Sequence, residues 1–226
     1  MKTPLTLEVA RGVHHIPLLG SASINAYLIG DILIDAGIRA SAPRLEAALR
    51  SHKIRAHTLT HVHADHQGSS HSICATRAIP MWVHTNEVEI MEMGAVAMHH
   101  NSPNNVITGL QRQFWAGPAH QVSRALRAGD DLNGFEVLET PGHARGHISF
   151  WRESDRVLII GDVLTNMNVV TTQPGLNEPL RIFTLDAARN RENIHRLAQL
   201  EPRLTLFGHG KPLRDPEALL RFAAAL

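Results

Sequence analysis

The sequence has few of the features that mark secreted, membrane-bound or disulfide-linked proteins. Its single cysteine, Cys74, cannot form an internal disulfide, so nothing indicates an oxidising compartment. No apolar run approaches the roughly 20 residues of a membrane span. The first ten residues include Pro4 and Glu8 and have no apolar core typical of a signal peptide. We therefore expect a cytoplasmic protein with no membrane partner.

An excess of charge of either sign is also missing. The formal net charge is +1, so there is no basic surface of the kind that binds nucleic acid, and we expect no nucleic-acid partner. Cys74 lies in the apolar run S-I-C-A-T, which favours a small buried side chain over a nucleophile. The 226 residues, 43% of them hydrophobic, suit one large domain with a real core. A homodimer is compatible with this composition.

Histidine is the residue in excess, with 16 copies. Four candidate ligands lie within six residues of T-H-V-H-A-D-H-Q-G, namely His61, His63, Asp65 and His66. The stretch just before them predicts a strand at 54–60. If the chain stays extended, His61, His63 and Asp65 point in one direction, because side chains alternate along a strand. Neutral imidazole and carboxylate are the ligands of zinc and similar divalent metals, so we predict a metal site here.

Apolar runs and turn residues predict alternating strands and helices, the pattern of a layered α/β fold. Strands are predicted at 5–10, 13–16, 24–29, 32–35, 54–60, 81–84, 122–129, 135–139, 148–151, 157–160 and 204–207. Helices are predicted at 41–49, between Gly68 and Pro80, and at 85–93, 186–200 and 215–226. The pairs Gly30-Asp31 and Asn133-Gly134 predict hairpin turns.

Three further strands end in a histidine or aspartate beside glycine. These residues are His143 in T-P-G-H, Asp162 in G-D and His209 in G-H-G. With the four residues above they make seven candidate ligands, whereas one tetrahedral metal needs four. The surplus indicates two metals with a carboxylate between them.

Together these motifs resemble those of the metallo-β-lactamase superfamily of metal-dependent hydrolases, which includes hydroxyacylglutathione hydrolases and lactonases. H-V-H-A-D-H resembles the family's H-x-H-x-D-H signature, and T-P-G-H, G-D and G-H-G follow in the family's order. The resemblance covers essentially the whole chain. It implies a four-layer αββα sandwich with the metal site at one edge of the sheets. It also implies one domain over 1–226, with a substrate-shaping insertion at about 87–121.

The resemblance further implies a role for each motif residue. The first ion would bind His61, His63 and His143. The second would bind Asp65, His66 and His209. Asp162 would bridge the two ions, and His147 would support the site without ligating. Zinc is favoured for both ions, with iron or manganese as alternatives.

The implied activity is hydrolysis of a small-molecule ester, thioester or lactone, in which a metal-bridging hydroxide attacks the carbonyl. Asp65 would be the catalytic residue that orients the hydroxide and carries a proton toward the leaving group. Two alternatives stay open: a metal-binding regulatory or ligand-binding protein with little turnover, and a mononuclear iron enzyme like the persulfide dioxygenases.

Several specialised relatives match less well. Hydroxyacylglutathione hydrolases carry a C-terminal helical region that binds glutathione, but only 17 residues follow His209 here. The related lactonases use a tyrosine between the bridging aspartate and the last histidine, whereas the single tyrosine here is Tyr27. Antibiotic hydrolysis is not expected, because β-lactamases are secreted and vary around the second histidine. Nuclease relatives carry an extra domain for which this chain has no room.

The segment 87–121 is the strongest candidate for substrate selection, because it lies outside the metal motifs and is rich in methionine and aromatic residues. Its side chains favour a moderately apolar acyl or lactone substrate. Its members of interest are Met91, Met93, Met98, Phe114 and Trp115. We expect Asn166, Met167 and Asn168 to reach the same cleft. The spacing of His99, His100 and His120 does not require a metal role.

Overall fold

The computed structural model describes residues 5–96 and 104–226, and they form two large β-sheets flanked by helices. The strands are β1 (Leu7–Ala10), β2 (Val13–Pro17), β3 (Asn25–Ile29), β4 (Ile32–Ile34), β5 (Ala56–Thr58), β6 (Met81–His84), β7 (Arg124–Leu126), β8 (Asp131–Leu132), β9 (Phe135–Glu139), β10 (Ile148–Arg152), β11 (Val157–Gly161), β12 (Thr165–Met167), β13 (Pro174–Asn177) and β14 (Leu204–Phe207). The α-helices are α1 (Ala42–Ala48), α2 (Ala64–Gln67), α3 (Ser70–Arg77), α4 (Val88–Met93), α5 (Val106–Phe114), α6 (Ala187–Ala198) and α7 (Pro216–Ala224). One-turn 3-10 helices lie at Gly20–Ala22, Arg39–Ser41 and Thr85–Glu87.

The first sheet contains β1 to β7 in sequence order, and the second has the order β14-β11-β10-β9-β8. β12 and β13 form a separate hairpin. In the first sheet β4, β5, β6 and β7 are mutually parallel, and in the second sheet β11 and β14 are parallel. Parallel neighbours deliver the loops that follow them to one edge of a sheet. The functional side chains therefore gather where these strands end.

Three apolar cores separate four layers. Strand alternation explains this, because neighbouring residues of β3 face opposite sides: Leu28 packs toward helices α1 and α3, whereas Tyr27 packs between the sheets. In the second sheet, Ile159 faces the central core and Ile160 faces α6 and α7. The αββα sandwich expected from the resemblance is confirmed.

The turns predicted from short dipeptides are present. Gly30 has a φ of 59° between β3 and β4. Asn133 and Gly134 have φ values of 54° and 82° between β8 and β9, as a two-residue hairpin turn requires.

The histidine-rich stretch differs from its prediction. The strand ends at Thr58, not Thr60, and residues 64–67 form helix α2. Asp65 therefore does not continue the extended direction of His61 and His63, because the helical turn rotates it away. The prediction that these three side chains share one direction was wrong.

Several elements were not predicted, among them the two-residue strand β8. Helix α5 occupies part of the 87–121 segment, and the β12–β13 hairpin follows Asp162. Residues His99, His100 and Met98 lie outside the described residues. Among the helices of the described residues, none is both long and apolar enough to cross a bilayer.

Candidate metal centre

All seven candidate ligands meet at one edge of the sandwich, carried by five segments. His61 and His63 lie between β5 and α2, and Asp65 and His66 lie in α2 itself. The other three follow strands of the second sheet: His143 lies in the turn between β9 and β10, Asp162 follows β11, and His209 follows β14. The site thus forms only when both sheets pack together.

The side chains divide into overlapping groups whose ligand atoms lie within 4.8 Å of one another. One group is His61, His63 and His143. A second is Asp65, His66 and His209. A third joins His61 and His66 to Asp162. The first two groups have the composition that the resemblance implied for the two ions.

Asp162 lies between these groups. Its Oδ2 atom is 3.1 Å from His209 Nε2 and 3.4 Å from His66 Nε2, both in the second group. The same oxygen is 3.7 Å from His143 Nε2, in the first group. A carboxylate in this position can bind to ions held by either group.

Threonine hydroxyls orient two of the imidazole rings. Thr60 Oγ1 donates to Asp35 and therefore accepts from His61 Nδ1, at 3.1 Å. Thr184 Oγ1 donates to the Leu180 carbonyl and so accepts from His143 Nδ1, also at 3.1 Å. In both rings the proton is on Nδ1, which leaves the Nε2 lone pair for a ligand.

Two more rings are oriented by acceptors alone. His66 Nδ1 donates to Asp35 Oδ2 at 3.0 Å, and His209 Nδ1 donates to the Ser23 carbonyl at 2.5 Å. Their Nε2 atoms also face the centre. Carboxylates and carbonyls behind metal-binding histidines fix the ring and strengthen it as a ligand.

The donor set fits divalent metal ions. Among the described residues, no hydrogen-bond partner reaches the buried atoms His61 Nε2 and Asp162 Oδ1. A buried polar atom without a partner costs about 1–3 kcal/mol, so such atoms side by side fit a site that binds a cation. Imidazole nitrogen and carboxylate oxygen are the atoms that zinc, iron and manganese bind.

The charges at the site favour a cation. Burial would lower the pKa of His209, but the Asp162 and Asp65 carboxylates outweigh it and raise that pKa to about 10. Burial would raise the pKa of Asp162, but the neighbouring His209 and His66 rings outweigh it and hold that pKa well below its usual value. In His61, burial and the neighbouring His66 and His63 rings together hold the pKa well below its usual value. The His61 ring is therefore neutral and ready to ligate.

Gly208 makes room for the centre. A Cβ atom at this position would lie 2.1 Å from Asp162 Oδ1 and 2.7 Å from His66 Cε1. Only glycine lets the backbone before His209 approach these ligands so closely.

A cavity of about 420 Å³ opens onto the centre. His63, Asp65, His143, Asp162 and His209 line it, whereas His61 and His66 lie behind them. Much of the remaining wall is apolar and includes Leu19, Ile24, Ile107, Trp115, Met167 and Leu180. Substrate-sized molecules can therefore meet five of the seven candidate ligands.

Other residues singled out in the sequence lie elsewhere or act indirectly. His147 is buried; its Nε2 accepts from the Asp162 amide and its Nδ1 contacts Thr140 Oγ1, so it supports the Asp162 loop. His120 contacts His71, 3.2 Å between Nδ1 atoms, outside the seven-residue centre. Cys74 is buried, and burial raises the pKa of its thiol to about 12, consistent with a packing role.

The predicted cleft residues are only partly borne out. Met167 and Trp115 line the cavity. Asn166 instead donates to the Lys211 carbonyl, and Asn168 accepts from the amides of Val170 and Thr171 inside its own loop. Phe114 is exposed and absent from the cavity wall. Asn166 and Asn168 therefore hold loops together, and Phe114 lies on the surface.

Sequence reasoning missed the partners behind the ligands. The sequence predicts Asp35 only as the last residue of the strand at 32–35, yet it accepts from both Thr60 and His66. The sequence did carry a signal for Asp35: D-A-G places an aspartate near a glycine directly after β4, as at the other strand ends that carry ligands. Ser23 and Thr184 had no such signal, since they contact the site from distant loops.

A family model for the metallo-β-lactamase superfamily matches residues 19–209. This match includes all seven candidate ligands. The chain belongs to the metallo-β-lactamase superfamily. That membership and the histidine–aspartate groups support a metal-dependent hydrolase.

Individual relatives agree with this assignment. The chain is 30% identical to the "Probable metallo-hydrolase YflN" of Bacillus subtilis, over 91% of this chain and 86% of that protein. It is 27% identical to the BLEG-1 B3 metallo-β-lactamase structure, with a TM-score of 0.69, covering 92% of this chain and 96% of that one. An archaeal superfamily member from Sulfolobus tokodaii, 20% identical, shares the fold with a TM-score of 0.72 over 96% and 86% of the two chains.

Proposed function

We propose that this protein is a dinuclear metal-dependent hydrolase that cleaves an ester, thioester or lactone with an apolar acyl group. One observation carries the proposal: a three-histidine group and a group of one aspartate and two histidines lie on either side of Asp162 and face a largely apolar cavity. We propose two divalent ions, zinc in preference to iron or manganese. His61, His63 and His143 would hold one ion, Asp65, His66 and His209 would hold the other, and Asp162 would serve both.

Divalent ions at these groups would lower the pKa of a water molecule and polarise a carbonyl group. The chain supplies the remaining requirements. Thr60, Thr184 and Asp35 hold the imidazole rings in the ligating tautomer before substrate binds, so little reorganisation is needed. The low-dielectric cavity walls strengthen each of these electrostatic interactions.

Asp65 is the group best placed to move a proton. It lines the cavity, and its side chain is 18% exposed, whereas that of Asp162 is 7% exposed. Its Oδ2 atom is 3.4 Å from His209 Nε2. Burial would raise the pKa of Asp65, but its contacts with His209 and the nearby His66 outweigh burial and lower that pKa. We propose that Asp65 accepts a proton from the attacking water and passes it to the leaving group.

The cavity wall favours an apolar acyl group. Ile107 and Trp115 come from the 87–121 segment, and Met167, Val169 and Val170 come from the β12–β13 hairpin. Each buried methylene contributes about 0.8 kcal/mol to binding, so a longer acyl chain gains affinity from these walls. We therefore propose that the 87–121 segment selects substrates by the length of their apolar part.

The test is reconstitution of the metal-free protein with Zn²⁺, Mn²⁺ or Fe²⁺, followed by elemental analysis and a substrate screen. The screen compares acetyl and octanoyl thioesters, acyl esters, lactones, a chromogenic β-lactam and a phosphodiester. We expect two ions per chain, loss of hydrolysis on chelation, and preference for octanoyl over acetyl thioester.

Other outcomes would overturn the proposal. Cleavage of the phosphodiester alone would assign a different bond. One iron per chain with oxygen consumption on a persulfide would favour the dioxygenase-like alternative. Two bound ions with no turnover on any carbonyl substrate would favour a binding or regulatory protein.

A further inference from the structure

We propose that Glu87 is a positioning residue that sets the geometry of the first metal group. This inference rests on the metal centre of the proposed function, but not on the choice of substrate. Glu87 ends the one-turn helix Thr85–Glu87 that follows β6, and it is 1% exposed. A glutamate so deeply buried is uncommon unless hydrogen bonds satisfy its carboxylate.

The Glu87 carboxylate joins two loops from different sheets. Its Oε2 atom accepts from the Val62 amide at 3.1 Å, and its Oε1 atom accepts from the Gly146 amide at 2.7 Å. Val62 lies between His61 and His63, in the loop after β5 of the first sheet. Gly146 lies in the turn that carries His143, between β9 and β10 of the second sheet.

These two loops supply all three members of the first metal group. Across the gap between them, His63 Nδ1 lies 3.1 Å from His143 Nε2. Main-chain amides bonded to a carboxylate make short, strong hydrogen bonds, so one side chain holds both loops at a set distance. Metal binding is sensitive to such distances, because ligand bonds vary by only about 0.2 Å.

The second loop is built for this contact. A Cβ atom on Gly146 would lie 2.6 Å from Glu87 Cγ and 2.8 Å from His84 Nδ1. Its backbone is outside the left-handed region, so the glycine is needed here for space and not for conformation. A side chain at Gly146 would push the carboxylate away from the loop.

The experiment compares Glu87→Gln with Glu92→Gln as a matched control. Glu92 lies in the next helix, and its carboxylate also accepts from a main-chain amide, that of Val122 at 3.0 Å, outside the seven-residue centre. Glutamine keeps one acceptor oxygen but turns an NH₂ group toward the other amide. The readouts are the Kd of each Zn²⁺ by chelator competition, the visible spectrum with Co²⁺, and the Tm of the metal-free protein.

We expect Glu87→Gln to weaken the binding of one of the two Zn²⁺ ions by about 10- to 100-fold and to change the Co²⁺ spectrum. The other ion should keep its affinity, and Glu92→Gln should keep both. Gly146→Ala reaches the same contact from the opposite side and should reproduce the loss. If Glu87→Gln does not fold, the same measurements on Gly146→Ala test the proposal.

Wild-type affinity for both ions in the two variants, with only a lower Tm, would overturn the positioning role. If neither variant folds, the contact serves fold stability, and the positioning role is overturned as well. The proposed function fails separately: if the wild-type protein binds two ions but hydrolyses no carbonyl substrate, Glu87 can still position the first group.

Discussion

A single hydroxyl group decides the chemistry of His61. Thr60 donates to Asp35, so its oxygen can only accept from His61, and the proton of that ring stays on Nδ1. The same carboxylate accepts from His66, which belongs to the other metal group. Asp35 thus links the orientation of ligands from both groups, although it is not one of the seven.

At the residue scale, Asp65→Asn tests the proton-transfer role. Asparagine keeps the shape of the side chain but neither carries a proton nor bears charge. We expect kcat, measured at saturating Zn²⁺ with both ions bound because Asp65 is itself a proposed ligand, to fall by about 10²- to 10⁴-fold. The far-UV circular dichroism should stay near its wild-type value. Asp31→Asn, at an exposed ion pair with Arg55, is the control and should keep full activity. Near wild-type turnover with two bound ions would exclude the role.

Gly208→Ala tests how tightly the backbone approaches the centre. The new Cβ atom would meet Asp162 Oδ1 at 2.1 Å, so the ligand must move. We expect loss of at least one ion by elemental analysis. Gly109→Ala is the matched control: within the described part of the chain, no atom lies within 4 Å of its Cβ position in α5. It should therefore keep both ions and gain about 0.5–1 kcal/mol in unfolding free energy. Two ions in Gly208→Ala would refute this account of the site.

At the element scale, helix α5 shows what a local pattern can and cannot reveal. Asn105 caps it by accepting from the Thr108 amide at 2.8 Å, and Val106, Leu110 and Phe114 recur at helical spacing. The preceding N-S-P-N-N consists of turn-forming residues, which favour a loop and obscure this signal. The β12–β13 hairpin had none, because N-M-N-V-V-T-T-Q-P-G lacks regular alternation.

Two neighbouring side chains of α5 give a prediction about substrate selection. Ile107 lines the cavity and Leu110 does not, although they are 53% and 51% exposed. Replacing either by serine removes a similar apolar surface. Ile107→Ser should raise KM for an octanoyl thioester about 5- to 10-fold, which corresponds to about 1–1.4 kcal/mol of lost apolar contact. Leu110→Ser should leave KM unchanged, and neither variant should alter KM for the acetyl thioester.

Steady-state kinetics on both substrates would decide the point. Equal effects of the two substitutions would mean that α5 acts through the fold and not through contact with substrate. An unchanged octanoyl KM in Ile107→Ser would remove α5 from the acyl site.

At the scale of the whole molecule, the metal centre ties the two sheets together. His61 follows β5 of the first sheet, whereas His143, Asp162 and His209 follow strands of the second. Bound ions therefore stabilise the folded state but not the unfolded chain. At free metal 1,000 times above Kd, the gain is about 4 kcal/mol.

The measurement is the Tm of the metal-free protein with and without Zn²⁺. A gain of about 4 kcal/mol should raise the Tm by roughly 8–16 °C, and a chelator should reverse it. His61→Ala should give a smaller rise, whereas His14→Ala, whose ring contacts His52 away from the centre, should match the wild type. Two bound ions with no rise in Tm would show that the centre does not join the sheets.

The sequence by itself determined the layered α/β order and the strand ends that carry the candidate ligands. These are local properties: apolar runs form strands, and the residue that follows a strand lies at its end. Tertiary packing decided the rest. It brought Asp35, Glu87, Ser23 and Thr184 behind the ligands from distant loops, and it turned Asp65 away from His63 through α2. It also placed Ile107 and Met167 around one cavity, because contacts between two sheets depend on how their faces pack and leave no periodic trace in the chain.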